Sequence, residues 1–239
     1  MIYELLLIIL GIIILRFIIH YFQQIQADNI IAEHKKWKKK NLNEKLRKPL
    51  IKREIKKILV TGGCGNFGAS LIDLLCERFP NSKIICLDLV TKESTEQVTY
   101  VKGNMTNIEN IFKYFKDIDA VFHTAAAIAL DCDRSSVLKI NLFGTQNIVE
   151  CCIENNVGNL ILTSSIAATQ PAKGGLNLNE TAPYCHHESY GESKRYCEEL
   201  VLEANGINGL NTIAFITVGL WGPNDPFNFG SVLVTKDSV

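Results

Sequence analysis

Tyr190 and Lys194 stand four apart in the run SYGESKRYCEELVLEA, a spacing that puts both side chains on one face of an amphipathic helix. A phenol is a poor acid–base group at its ordinary pKa of about 10, and an ammonium beside it favours the phenolate and draws that value toward neutrality. Such a pair is the proton partner that hydride transfer needs at a substrate oxygen. Alone, a Tyr-x-x-x-Lys pair reads as a surface helix pair, so its place in the chain is what gives it weight. It follows LTSS, in which Ser164 and Ser165 end an apolar run. A hydroxyl there can hydrogen-bond the substrate oxygen and stabilise charge developing on it, whereas two serines at a strand end by themselves are capping or turn chemistry.

A second group of residues supplies the place for a hydride acceptor. In ILVTGGCGNFGAS the glycines are Gly62, Gly63, Gly65 and Gly68, which satisfies G-x-G-x-x-G from Gly63 and G-x-x-G-x-x-G from Gly62. The pattern is weak without its context: an apolar strand ends at Thr61, a helix begins near Phe67, and a second strand ends in Asp88, 20 residues after Gly68. Glycine lets the backbone approach a pyrophosphate, the helix N-terminus favours its negative charge, and Asp88 can accept hydrogen bonds from the adenosine ribose. A carboxylate there repels a 2′-phosphate, and Leu89 and Val90 follow it with no arginine in reach, which favours NAD over NADP.

The elements that must position these residues are short β-branched runs alternating with helical patterns from Lys56 onward, the pattern of βαβ units and a parallel sheet. Strands are predicted over 57–61, 83–88, 98–103, 120–125, 160–165 and 212–218, and helices near 67–79, 108–116, 134–155 and 190–204. Near-continuous apolar strands are covered on both faces, so the expected fold is α/β, a doubly wound parallel sheet of the Rossmann type. Eight cysteines without zinc or disulfide-framework spacing read as reduced thiols, Cys151 and Cys152 as ordinary helix residues, and no metal site is expected. His123, without an acidic partner, reads as a packed residue.

Net charge is zero, but 12 Lys and Arg against 3 Glu fall in residues 31–57, so +9 sits there and −9 on the remainder. This basic run follows residues 2–22, an apolar stretch long enough to cross a bilayer core of about 30 Å and interrupted only by Glu4 and Arg16. Basic residues do not precede it and no small-residue cleavage site follows, so it reads as an uncleaved anchor rather than a signal peptide. Flanking lysines stay cytosolic and contact anionic headgroups, which makes nucleic acid an unneeded partner. The expected organisation is therefore an anchor over 1–22, a basic juxtamembrane linker over 23–55 with Trp37 interfacial or solvated, and a dinucleotide-binding domain over 56–239.

Taken together, TGGCGNFG, LDL, VFHTAA, NLFGTQNIVECC, LILTSS, NETAPY, YGESK, VLEANG and LWGPND, in this order over about residues 56–225, resemble the extended short-chain dehydrogenase/reductase family, most closely its 3β-hydroxysteroid dehydrogenase/isomerase branch. That resemblance implies Tyr190 as proton donor or acceptor, Lys194 tuning it and holding the nicotinamide ribose, and Ser165 as their partner with Ser164 the fallback. It implies Asn141 as support for the site, and Gly62, Gly65, Asn66, Phe67, Gly68, Asp88, Asn104, Ala125 and Ala126 as NAD contacts. Asn104 stands where the family usually has Asp, and Ile216 and Thr217 where it usually has Arg-Pro. Extended members continue for roughly another hundred residues, so the substrate lobe reads as truncated.

The activity this implies is NAD-dependent oxidation of a secondary hydroxyl on a lipophilic sterol or steroid, at an endoplasmic reticulum membrane and facing the cytosol. A nucleotide-sugar epimerase or dehydratase shares every motif, and a catalytically weak NAD-binding membrane scaffold is the reading from another class. A homodimer is left open.

Overall fold

The strand runs pair in parallel because each is apolar on both faces. The structure, a computed structural model, describes residues 2–42, 45–50, 54–128, 133–169, 179–184 and 188–220. His186 and His187, which the sequence leaves as solvated or substrate-facing, and LWGPND beyond Leu220 lie outside the described residues.

Strands β1 (Lys57–Thr61), β2 (Lys83–Asp88), β3 (Val98–Lys102), β4 (Ala120–His123), β5 (Asn159–Ser165) and β6 (Asn211–Thr217) form one sheet in the order β3-β2-β1-β4-β5-β6, parallel throughout. The order reverses between β1 and β4, and ligands of such sheets bind at the carboxyl ends of the strands beside that reversal. Helix α2 (Asn66–Arg78) covers one face through Ile72 and Leu75 against Ile58, Val60 and Ile84. The other face packs under α4 (Arg134–Leu138), α5 (Gly144–Glu154) and α6 (Ser189–Glu203), with Leu138, Ile148, Val149 and Leu200 buried against Leu59, Val121, Leu160 and Leu162. The short α3 (Ile108–Ile111) and a 3₁₀ turn at Phe112–Phe115 replace the single helix expected near 108–116.

Two further departures have physical causes. Residues 134–155, expected as one helix, are broken by a π turn at Lys139–Phe143, which inserts an extra residue and buries Asn141. The segment expected as a linker continues the apolar stretch as one helix, α1 (Ile2–Asn41). Ala27, Ile31 and His34, at i, i+4 and i+7, bury one stripe of it against the α4–α6 layer. Trp37 is half-buried, its Nε1 donating to Glu150 at 3.1 Å, so it is neither interfacial nor solvated. Part of the basic run meets the acidic remainder directly: Lys38 pairs with Glu203 at 2.8 Å, and Lys45 pairs with Glu154. By contrast the side chains from Ile9 to Phe22 are exposed, Phe17 and Tyr21 by 72% and 64%.

Candidate active site

The glycine turn is built from side chains that are missing. Gly62 holds φ +71° and donates its N–H to Leu87 at 2.9 Å. A Cβ on Gly62 would lie 2.7 Å from the Ala125 backbone, and one on Gly68 would lie 2.2 Å from the Gly62 carbonyl oxygen. At Gly65 the nearest atom to such a Cβ is that same oxygen, at 3.3 Å, a tight contact that a side chain could keep only if the turn gave slightly. Gly65 caps α2 without a side-chain hydrogen bond, which leaves the first N–H groups of the helix for another acceptor.

A cavity of about 440 Å³ opens over this turn, lined among others by Gly62, Gly65, Asp88, Asn104, Ala125 and Ala126. Asn66 and Phe67 open α2 half-buried beside the cavity and are not among its lining residues. The Asp88 carboxylate accepts the N–H of Cys64 at 2.9 Å and of Leu89 at 2.6 Å, which ties the end of β2 to the glycine turn. Asn104 accepts the Thr106 N–H and hydroxyl at 3.0 and 2.9 Å.

Ser164, Ser165, Tyr190 and Lys194 are not among the residues that line this cavity; they stand at the same sheet edge, on the end of β5 and the start of α6, buried or half-buried. In β5 neighbouring side chains face opposite ways, so the two serines part company. Ser164 is buried and donates to Glu198 at 2.5 Å, a carboxylate that also accepts the Tyr184 hydroxyl at 2.9 Å. Ser165 accepts the Ala167 N–H at 3.2 Å and lies beside Tyr190, whose pKa it lowers. Of the two serines, the structure brings Ser165 to Tyr190. Lys194, buried, donates from Nζ to the Thr163 carbonyl at 2.9 Å and lies 5.8 Å from the Tyr190 ring centre.

These contacts revise the expected tuning of the tyrosine. Burial pushes the Tyr190 phenol above its ordinary value, and Ser165 only opposes that rise. Burial likewise lowers the Lys194 ammonium. The lysine's charge is directed at the Thr163 carbonyl, so desolvation of the phenol outweighs its pull.

Asn141 grips the loop leaving β4 like a third hand on the cavity wall: its amide accepts the Ala127 N–H at 2.7 Å and donates to the Ala127 carbonyl at 3.0 Å and to Ser193 at 2.9 Å. Ala127 lines the cavity and Ser193 precedes Lys194, so one amide joins the cavity wall to α6. His123 bridges Thr61 at 2.7 Å and Thr145 at 2.9 Å, and burial lowers its pKa to about 3, which fixes it as a neutral packed residue. Cys151 and Cys152 are buried, the former thiol pushed up to about 12 by desolvation. No group of three or more metal-ligating side chains exists among the described residues.

The sequence reading missed Arg134, Ser193, Glu192 and Glu198. Arg134 lies in α4 and forks onto the Glu192 carboxylate of α6 at 2.6 and 2.7 Å. Only the charged residues inside the first turns of α6, where an amphipathic helix would put them in solvent, hinted at such partners.

A parallel sheet in this order, with a glycine cradle at its reversal and a serine, tyrosine and lysine on the adjoining strand and helix, defines a Rossmann protein of the short-chain dehydrogenase/reductase class. The profile of the 3-beta hydroxysteroid dehydrogenase/isomerase family matches residues 59–236, and the chain belongs to that family. A 3-beta-hydroxysteroid dehydrogenase of Mycolicibacterium neoaurum is 31% identical over 195 residues, 77% of this chain and 53% of the relative. A decarboxylating sterol-4-alpha-carboxylate 3-dehydrogenase of Schizosaccharomyces pombe is 34% identical over 173 residues, 68% of this chain and 50% of the relative. The chain spans about half the length of the curated relatives it matches. Among solved structures, MoeE5 in complex with UDP-glucose and NAD superposes with a TM-score of 0.65 at 26% identity, covering 74% of this chain and 59% of that one.

Proposed function

We propose that the chain carries the cofactor and proton-transfer site of a membrane-anchored, NAD-dependent dehydrogenase that oxidises a secondary hydroxyl of a sterol-like substrate. The observation that carries this reading is buried Lys194, held by the Thr163 carbonyl 5.8 Å from the Tyr190 ring with Ser165 at the end of the same strand, at the same sheet edge as the glycine cradle. The residues fit the dinucleotide: a glycine turn with Gly62 and Gly65 at the cavity wall and the uncapped start of α2 suit a pyrophosphate, and Asp88 at the same wall suits a ribose. When bound there, NAD supplies the hydride acceptor.

Tyr190 Oη takes the hydroxyl proton of the substrate as the carbinol carbon is oxidised to a carbonyl. Ser165 holds the substrate oxygen, and its hydroxyl steadies the phenolate that must do the work. Lys194 sets a positive charge near both, and Asn141, which does not touch the reacting atoms, keeps the wall at Ala127 and the helix at Ser193 in register. Curated relatives named for 3-beta-hydroxysteroid and sterol dehydrogenation support a sterol-like alcohol over a sugar nucleotide. Residues 1–22 act as the anchor, residues 56–239 form the cofactor domain, and the domain faces the cytosol, at the endoplasmic reticulum. Among the described residues, one helix is long and apolar enough to cross a membrane by length and composition, which supports the anchor.

Calorimetric titration with NAD⁺ and NADP⁺ tests the cofactor. NAD⁺ binds at least about tenfold tighter, and Asp88→Ala erases that difference of about 1.4 kcal/mol. Equal affinity in the unaltered chain would remove Asp88 from its role, and no binding of either would remove the dehydrogenase reading.

A further inference from the structure

Helix α1 ties the anchor and the site into one geometry. It runs beside α4, α5 and α6 in a single direction. Gln24 and Asp28 meet Arg134 at the start of α4, Trp37 meets Glu150 in α5, and Lys38 meets Glu203 at the end of α6. Helices that return between parallel strands start at the carboxyl edge of the sheet and finish at its amino edge. Residue 24 therefore lies at the carboxyl edge, and residue 38 lies toward the amino edge.

Because Ile2–Asn41 is one uninterrupted helix, residues 2–22 leave the domain past the carboxyl edge. Those residues extend about 32 Å, against a hydrocarbon core of about 30 Å, so the boundary of that core falls near residue 22. Asp28 is then about 9 Å further along the helix, roughly the depth of one headgroup layer. Arg134 fixes the angle of the helix to the domain, since it holds Gln24 and Asp28 with one nitrogen and Glu192, between Tyr190 and Lys194, with two others. The same edge carries Ser165 at the end of β5, Tyr190 at the start of α6, the glycine turn, and exposed Leu89, Val90, Ile128 and Val218 on the loops leaving β2, β4 and β6.

We propose that the carboxyl edge of the sheet rests on the bilayer surface, with Leu89, Val90, Ile128 and Val218 against lipid, and that Tyr190 receives its alcohol directly from the headgroup layer. This inference rests on the anchor and on the alcohol-oxidising site proposed above. Moving a hydroxyl into hydrocarbon without a partner costs about 4–8 kcal/mol, so a membrane-dissolved amphiphile keeps its hydroxyl among the headgroups. That is the height at which the site sits, and the substrate has no need to cross water. An oppositely directed α1 would have placed the site a whole domain away from the membrane.

The test uses the full chain in phosphatidylcholine vesicles that contain a phosphatidylcholine with a diazirine at the top of its acyl chain. After photolysis, labelled peptides are mapped by mass spectrometry. The expected result is labelling of residues 88–91, 124–128 and 217–220 in several-fold excess over residues 45–50, 79–82 and 116–119 at the amino edge. Exposed apolar side chains occur at both edges, Leu46, Leu50 and Phe79 at the amino one, so an excess reports height above the membrane rather than side-chain chemistry. Inserting Gly-Ser-Gly-Ser between Phe22 and Gln23 leaves flotation with the vesicles intact and brings the two edges toward equal labelling. Equal labelling in the unaltered chain, an amino-edge excess, or no label at either edge in protein that floats and binds NAD⁺ would overturn the orientation alone. Failure to float would overturn the anchor, and the orientation with it.

Discussion

The two sides of the site are made by opposite means. On one side Gly62, Gly65 and Gly68 create space for a ligand by lacking side chains, and backbone atoms set the tolerances: 2.2 Å for a Cβ on Gly68, 2.7 Å for one on Gly62. On the other side Lys194 and Asn141 are polar groups driven into the interior, held by the Thr163 carbonyl and by Ala127 and Ser193, with Tyr190 and Ser165 half-buried beside them. Steric change should therefore damage the first side, and changes of protonation or of hydrogen bonding should damage the second. The difference separates binding from chemistry, and four substitutions or conditions can break or sharpen it.

The largest effect is expected at the tyrosine. Tyr190→Phe keeps the ring and the packing but removes the proton acceptor, so turnover of a 3β-hydroxysteroid with NAD⁺ falls by about 10²–10⁴-fold. Calorimetry on the same variant shows NAD⁺ binding retained. A variant that loses both together would place Tyr190 in the cofactor wall instead.

Next comes pH. His123 has an ordinary value of 6.5 and a folded value of about 3, lowered first by burial and then by the Lys194 charge. The unfolded chain thus takes up a proton below about pH 6.5 that the folded chain refuses until about pH 3. Stability is fully present above 6.5 and falls as pH drops through that window, by an order of a few kcal/mol at most. Urea midpoints at pH 7.5 and pH 5 measure the loss, and His123→Gln, which has no such proton to bind, should lessen it.

Gly68→Ala tests the first side. Its methyl meets a backbone carbonyl, which yields less than a flexible side chain, so the cost reaches or exceeds the usual overpacking range of about 1–3 kcal/mol. Thermal melts report the stability, and NAD⁺ titration of the folded fraction reports the lost cradle. A variant that binds NAD⁺ normally would show that the turn can shift without loss of function.

The smallest effect is a displacement. Ser165→Ala removes the one neighbour that lowers the Tyr190 pKa, so the pH profile of kcat/KM for alcohol oxidation moves to higher pH. Ser164→Ala breaks a bond to Glu198, four residues after Lys194 in α6, rather than a contact of Tyr190, and leaves that profile in place, although stability falls. A shift from Ser164→Ala alone would reverse the assignment of the two serines.

Much of this architecture was readable because it is local. β1 and β2 fall on their expected residues, 57–61 and 83–88, since β-branched runs bounded by glycine and aspartate have little alternative. The glycine spacing, Asp88 at the end of β2, and the four-residue interval from Tyr190 to Lys194 are likewise properties of one stretch of chain. The preference for Ser165 over Ser164 comes from the resemblance alone, because residue type and spacing leave the two equal and the choice depends on which residue of α6 each one meets. The π turn that turns Asn141 inward was hidden for a related reason: its geometry is held by Ala127 and Ser193, 14 and 52 residues away.

The sequence alone determined the anchor-length apolar stretch, the alternation of strands and helices, the glycine turn and the Tyr190–Lys194 spacing, because each follows from residue type and short spacing. Only the tertiary structure decided that residues 23–41 are a docked helix and not a linker, that part of the basic run is matched by Glu150, Glu154 and Glu203 of the domain, and that burial raises the Tyr190 pKa despite a neighbouring lysine. Those outcomes are sums of contacts between segments distant in the chain, more than 100 residues apart for the docked helix, and of the water they exclude, and neither quantity is written in any single stretch of the chain.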